Sequence, residues 1–208
     1  MKEIRCILFD LGGVLVDWDG TTPLVELSQG RLSPELSRQF WLTSPSVRQF
    51  ESGQCPPDDF ARGALRELGL HLEPEAFLAA FVSWDRGLLP GAAELLTELK
   101  DRYPLACLSN NNVLHWNRPH LQALATHFDP CLLSFETGLM KPDAAAYSQA
   151  ILRIGAPAEK IVYFDDNPEC IAAARRSGLL AFEVRGIDAA RRALELLGAL
   201  PGNGGPCS

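Results

Sequence analysis

The sequence predicts an α/β protein with a doubly wound parallel sheet and an all-helical segment inserted into it. Short, continuous apolar runs recur along the 208 residues, separated by stretches of helical periodicity. Strands of a parallel sheet read as continuous apolar runs because helices cover both faces of the sheet. Roughly a hundred residues separate the first two runs, whereas a normal crossover needs about a dozen or more. The excess predicts an insertion.

Five apolar runs are the predicted strands. They are 4–9, 105–109, 131–134, 161–165 and 180–184. Asp10, Ser109 and Asp165 each stand at the carboxyl end of a run. Because ligands of open α/β sheets bind beyond these ends, we expect the three side chains to lie at one edge of the sheet.

Helices are predicted between the strands. Leu95 and Leu99 share one helical face ahead of the second run. Asn167 followed by Pro168 is typical of a helix cap with proline at the first helical position, and Gly178 of a helix end.

The long interval between the first two runs is predicted to be helical throughout. Ser33-Pro34 and Ser44-Pro45 each have the pattern of a cap followed by proline at the first helical position, and Gly53 that of a helix end. A terminal segment rich in glycine and proline is typical of disorder. The predicted division is an α/β core at 1–16 and 88–200, a helical cap at 17–87 and a disordered tail at 201–208.

Composition excludes several classes of partner. The net charge is -7 and no basic stripe with interleaved aromatic residues is present, so we expect no nucleic-acid partner. None of the six cysteines forms a C-x-x-C pair and three lie in predicted strands, which favours free thiols in a reducing compartment. No stretch approaches the length needed to cross a bilayer and no secretory signal peptide is recognisable, so we expect a cytoplasmic monomer or homodimer without membrane contact.

Four short segments carry the residues of a candidate site. They are Phe9-Asp10-Leu11-Gly12-Gly13-Val14-Leu15, Leu108-Ser109-Asn110, Lys141-Pro142 and Phe164-Asp165-Asp166-Asn167. In order, spacing and character these segments resemble the haloacid dehalogenase (HAD) superfamily, and the resemblance covers nearly the whole chain. It implies a Rossmann-like HAD core with a helical cap, and a hydrolase similar to the branch that acts on glucose 1-phosphate and other sugar phosphates.

Asp10 is the candidate nucleophile. A carboxylate is ionised at neutral pH and leaves readily in a second, hydrolytic step, which suits covalent phosphoryl transfer. An isolated aspartate at a strand end also caps turns. The resemblance implies that Asp10 forms an aspartyl-phosphate and that Lys141 neutralises the phosphate and holds Asp10 in position.

The doublet Asp165-Asp166 is a candidate metal site. Adjacent carboxylates repel each other unless a cation is present, and Mg²⁺ prefers oxygen ligands. The doublet is alternatively the acidic start of the helix near Pro168. The resemblance implies Mg²⁺ bound by Asp166, Asp10 and the carbonyl of Gly12, with Asp165 acting through a bound water. It also implies that the substrate phosphate is bound by Ser109, Asn110 and Lys141.

Gly12 departs from the family pattern. The family's phosphatases usually carry a second aspartate at this position, which protonates the leaving group and then activates water. Such general acid–base catalysis is worth about 10²–10⁴-fold in rate. Its absence favours small phosphorylated metabolites with good leaving groups, including sugar phosphates phosphorylated at the anomeric carbon. Asp17 or Asp19 is an alternative acid.

Several residues of the predicted cap are candidates for substrate selection. They are Trp18, Trp41, Arg48, Phe50, Glu51 and Trp84. We expect at least half of the aromatic residues among them to form the core of the cap instead. Two other functions stay open: a metal-free 2-haloacid dehalogenase, which the acidic doublet disfavours, and a catalytically weakened binding protein.

Overall fold

A computed structural model describes residues 3–201. The tail predicted at 201–208 lies outside the described residues except for Pro201. The strands are β1 Cys6–Phe9, β2 Val16–Trp18, β3 Asp85–Leu88, β4 Leu105–Ser109, β5 Cys131–Leu133, β6 Ile161–Asp165 and β7 Leu180–Glu183.

Helices occupy most of the rest of the described chain. They are α1 Thr22–Leu27, α2 Pro34–Thr43, α3 Pro45–Glu51, α4 Pro57–Leu68, α5 Pro74–Ser83, α6 Ala92–Lys100, α7 Val113–Trp116, α8 Pro119–Ala125, α9 Ser134–Thr137, α10 Ala144–Ile154, α11 Pro168–Arg176 and α12 Gly186–Leu196, with a 3-10 turn at Ala158–Lys160. Among residues 3–201, no helix combines the length and apolar character needed to cross a membrane.

The five predicted strands form one parallel sheet in the order β5-β4-β1-β6-β7, which confirms the predicted fold class. Each face of the sheet is covered by its own apolar cluster. Phe9 and Phe164 belong to the cluster that includes α6 and α12, while Leu8 and Tyr163 belong to the cluster that includes α10. All four side chains are fully buried, as expected for a sheet sandwiched between two helical layers.

A two-stranded antiparallel ribbon was not predicted from the sequence. In it, β2 pairs with β3, with Val16 opposite Leu88 and Trp18 opposite Asp85. These strands are three and four residues long and mix apolar with charged residues, so neither forms an apolar run. The ribbon joins the sheet to the helices α1–α5 and carries the chain into and out of them.

Helices α1–α5 enclose an apolar cluster of their own. Phe50 stacks on Phe60 with ring centroids 4.5 Å apart, and Trp84 packs edge-on against Phe77 and Phe81. Phe50 and Trp84 therefore belong to the cap core, as expected for part of the aromatic set.

The predicted helix starts in this segment are also observed. The hydroxyls of Ser33 and Ser44 accept hydrogen bonds from the main-chain N–H groups of Leu36 and Val47 and so cap α2 and α3. The predicted domain boundaries at residues 17 and 87 stay a prediction.

Candidate active site

The carboxyl ends of three neighbouring strands bring the predicted residues together. Asp10 follows β1, Ser109 ends β4 and Asp165 ends β6. Lys141 arrives from the loop after α9. All of them line one cavity of about 610 Å³ between the sheet edge and the cap, together with Asn110, Gly12 and Asp166.

Asp10, Asp165 and Asp166 form an acidic cluster. Each offers one carboxylate oxygen, and these oxygens all lie within 4.8 Å of one another. Burial, opposed by Lys141 and reinforced by Asp165, raises the pKa of Asp10 to about 7. Burial and the neighbouring Asp165 also raise the pKa of Asp166. Clustered, desolvated carboxylates of this kind are hard oxygen donors that fit a divalent cation such as Mg²⁺.

Lys141 bridges two of the carboxylates. Its Nζ lies 2.9 Å from Oδ1 of Asp10 and 2.7 Å from Oδ2 of Asp165, and the lysine is buried. Burial opposes the charge on Lys141, but Asp10 and Asp165 outweigh it and hold the pKa of the ammonium well above its ordinary value. The lysine is therefore a permanent cation that fixes the orientation of Asp10.

The side chain of Asn110 holds the main chain of Lys141. Its Nδ2 donates to the carbonyl of Lys141 and its Oδ1 accepts from the N–H of Lys141, both at 2.9 Å. This pair of hydrogen bonds ties the end of β4 to the lysine loop across 31 residues of sequence. The side chain of Asn110 is thus engaged within the protein, while the hydroxyl of Ser109 makes only a long 3.4 Å contact with a carbonyl.

Asp165 has three donors around it. Besides Lys141, the hydroxyl of Tyr163 and the main-chain N–H of Asn167 donate to its carboxylate. Asp165 therefore positions the lysine, and Asp166 is the member of the doublet with a carboxylate left to bind a ligand.

The turn after β1 is shaped by Gly13. Its φ is +70°, and a Cβ at this position would lie 2.6 Å from Oδ2 of Asp166. Glycine is required on both counts. Gly12 differs, because a Cβ there would meet only the Cβ of Trp18, at 4.0 Å.

The two alternative acids have other partners. Asp17 forms an ion pair with Arg86 at 2.6 Å, and Oδ1 of Asp19 accepts from the N–H groups of Thr21 and Thr22 at the start of α1. Partial burial of Asp19 is outweighed by those hydrogen bonds and by Arg86, which lowers the pKa of Asp19. Asp19 lines the cavity, but its lowered pKa keeps the carboxyl group ionised at neutral pH.

The cap residues divide into two groups. Trp18, Trp41 and Glu51 line the cavity. Arg48 instead binds Asp143 on the core, at 2.5 Å.

Sequence reasoning missed two arginines at the cavity, Arg38 and Arg185. Arg185 stands just beyond β7, so the same rule that selected Asp10 and Asp165, a polar residue at a strand end, could have found it. Arg38 lies on an exposed part of α2, where an arginine gives no signal of function.

The fold and the site define a capped α/β enzyme with its acidic residues at the carboxyl edge of a parallel sheet. A family model described as haloacid dehalogenase-like hydrolase matches residues 4–178. The chain belongs to this family of hydrolases, which the four sequence segments indicated.

Two curated relatives match most of the chain. Phosphatase MT3486 of Mycobacterium tuberculosis is 29% identical over 217 residues, covering 98% of this chain and 100% of the relative. The sesquiterpene phosphatase astK of Aspergillus oryzae is 28% identical over 188 residues, covering 86% of this chain and 89% of the relative.

Solved structures share the fold. A HAD-like hydrolase from Porphyromonas gingivalis aligns with a TM-score of 0.74 and 23% identity over 92% of this chain and 98% of that one. The HAD family enzyme BT-2542 of Bacteroides thetaiotaomicron, solved with magnesium and inorganic phosphate, aligns with a TM-score of 0.66 and 22% identity over 88% of this chain and 94% of that one.

Proposed function

We propose that this hydrolase is a Mg²⁺-dependent phosphatase that cleaves a small phosphorylated metabolite through an aspartyl-phosphate on Asp10. One observation carries the proposal. The buried ammonium of Lys141 holds Asp10 at 2.9 Å beside an acidic cluster whose oxygens lie within 4.8 Å of one another. That arrangement supports a nucleophile of fixed orientation beside a bound cation at the same sheet edge.

Asp166, Asp10 and the main-chain carbonyl of Gly12 would hold the metal, with Asp165 contributing through a bound water. Bound Mg²⁺ would neutralise charge on the phosphate and on the acidic cluster. The hydroxyl of Ser109, the main-chain N–H of Asn110 and the ammonium of Lys141 would bind the phosphate oxygens.

The reaction has two steps. In the first, a carboxylate oxygen of Asp10 attacks phosphorus and the ester oxygen leaves with its electron pair. In the second, water attacks the same phosphorus, the bond to Asp10 breaks, and inorganic phosphate is released. Lys141 stabilises the charge that develops on the phosphoryl oxygens in both steps, which is the main source of catalysis in phosphoryl transfer.

The cavity bounds the class of substrate. Its volume of about 610 Å³ is in the range of small-molecule sites and accommodates a phosphorylated metabolite. Trp18 and Trp41 supply aromatic surface for the body of the substrate. Sugar phosphates are our first choice, and the phosphatase names of the two curated relatives support a phosphomonoester.

A panel of sugar, aryl and alkyl phosphates, assayed for phosphate release with Mg²⁺ and with EDTA, tests the proposal. We expect turnover that EDTA abolishes, and none from the variant Asp10→Asn. Release of halide from a 2-haloacid that survives EDTA would favour the dehalogenase instead. Absence of turnover on the whole panel would favour a binding protein.

A further inference from the structure

The proposed site lacks the acidic side chain that the family's phosphatases carry two residues after the nucleophile. Gly12 stands two residues after the nucleophile, where the family's second aspartate is expected. When the ester bond breaks, negative charge develops on the leaving oxygen, and an alkoxide leaves slowly unless it receives a proton. A donor must therefore come from another residue that lines the cavity.

Most carboxylates around the cavity are already engaged. Asp165 binds the ammonium of Lys141. Asp19 caps α1. Asp85 accepts a hydrogen bond from His120 at 3.0 Å. The pKa of Asp19 is lowered, so this group is not a proton donor at neutral pH. The side chain of Asp85 is only 1% exposed, and Glu169, which also lines the cavity, is exposed to solvent.

Glu51, at the last position of α3, is different. It is half-buried in the cavity wall, and within residues 3–201 its carboxyl group makes no hydrogen bond or ion pair. Burial, opposed by Lys141 and reinforced by Asp10, raises the pKa of Glu51 to about 7. Glu51 lines the same cavity as Asp10 and Lys141, so its carboxyl group borders the space in which an ester bond to phosphorus would break. A carboxyl group whose pKa is raised toward neutral suits a general acid.

Two contacts seat this end of α3 on the core. Three residues before Glu51, Arg48 pairs with Asp143 at 2.5 Å, and Asp143 lies two residues after Lys141. Two residues after Glu51, Gly53 packs so closely on the carbonyl oxygen of Phe135 that a Cβ would overlap with it. Glu51 is therefore held over the lysine side of the site by contacts on both flanks.

We propose that Glu51 is the proton donor and acceptor of the phosphatase reaction, in the role that Gly12 cannot fill. This inference rests on the proposed function. As the ester bond breaks, its electron pair passes to the leaving oxygen, which takes the proton of Glu51 and departs as an alcohol. The Glu51 carboxylate then takes a proton from the water that attacks the aspartyl-phosphate. Phosphate departs, and both Asp10 and protonated Glu51 are restored.

The variant Glu51→Gln tests the assignment with two substrates that differ in their leaving group. On the alkyl phosphate that the wild type hydrolyses fastest, we expect kcat to fall by about 10²-fold or more. On p-nitrophenyl phosphate, whose leaving group needs no proton, we expect a first-turnover burst of p-nitrophenol at nearly the wild-type rate. Slow steady-state turnover follows, because the second step has lost its base. Glu75→Gln, an exposed cap position, is the matched control and should leave both rates unchanged.

Rescue separates proton transfer from a structural role. An aspartate fits at position 12 because a Cβ there would contact only Trp18, at 4.0 Å. We expect the double variant Gly12→Asp/Glu51→Gln to have a kcat at least about tenfold higher than that of Glu51→Gln alone.

Three results would overturn the inference. One is an equal loss of kcat on both substrates in Glu51→Gln, without a burst of p-nitrophenol. Another is a rise in KM alone in the same variant. The third is a Gly12→Asp enzyme that is active by itself but does not raise kcat in the Glu51→Gln background. A wild-type protein that hydrolyses no phosphate with Mg²⁺ would instead overturn the proposed function and this inference with it.

Discussion

Replacing Lys141 with methionine, which keeps the apolar stem and removes the charge, should destabilise the protein and abolish catalysis. The ammonium lies 2.9 Å from Asp10 and 2.7 Å from Asp165, and the three side chains are 3%, 11% and 1% exposed. Removing one partner of a buried ion pair leaves uncompensated charge and costs about 3–5 kcal/mol. We expect a loss of that size in the free energy of unfolding at mildly alkaline pH without metal.

Urea denaturation in EDTA measures this loss, with Lys160→Met as the matched control. Lys160 pairs with Glu3 at 3.1 Å, but the two side chains are 34% and 56% exposed, so the control should lose no more than about 1 kcal/mol. In the Lys141→Met variant the loss should shrink in acid, because a protonated Asp10 no longer needs the ammonium. Equal losses in the two variants, or a loss that grows in acid, would refute the reasoning.

Two further predictions concern the cation site. Gly13→Ala should weaken Mg²⁺ binding measured by calorimetry, because the new Cβ would lie 2.6 Å from Oδ2 of Asp166. The φ of +70° is also strained for alanine, so the control is Gly69→Ala, which has a φ of +63° with open space around it and therefore introduces the backbone strain alone. Equal Mg²⁺ affinity in the two variants would contradict this prediction. In EDTA, the free energy of unfolding should fall as pH rises from about 4, where free carboxyl groups titrate, to about 7. The folded pKa values of Asp10 and Glu51 are raised to about 7, so the stability that these groups contribute is complete below their unfolded pKa values and is lost once pH has passed the folded ones. Thermal unfolding across this range should show Mg²⁺ stabilising the protein most at the alkaline end, and a Mg²⁺ effect independent of pH would contradict the prediction.

The sequence alone was sufficient to predict the parallel sheet and to predict that acidic residues meet at its carboxyl edge. The positions of Asp10 and Asp165 could be predicted because each follows an apolar run and the carboxyl ends of parallel strands meet at one edge of the sheet. Lys141 was found only through the family resemblance, since a lone lysine before a proline carries little signal. The predicted roles of these residues stay predictions, as do the cytoplasmic location and the oligomeric state.

Other features could not be predicted, for physical reasons. The ribbon of β2 and β3 is too short and too polar to stand out as strands. The hydrogen bonds from the side chain of Asn110 to the main chain of Lys141 join residues that are 31 apart in sequence, and they depend on how two loops meet. Glu51 was a candidate by residue type, but the end of α3 on which it lies is oriented by contacts at Asp143 and Phe135, which helical periodicity does not encode.

Chemical trapping of the phosphoryl group tests the central claim most directly. The protein is mixed with its best substrate and Mg²⁺, quenched in acid, and treated with borohydride, which reduces an aspartyl-phosphate to homoserine, before peptide mass spectrometry. We predict homoserine at position 10, dependent on both substrate and Mg²⁺. An enzyme that turns over under these conditions with Asp10 unmodified, or with the modification on another residue, would contradict the account.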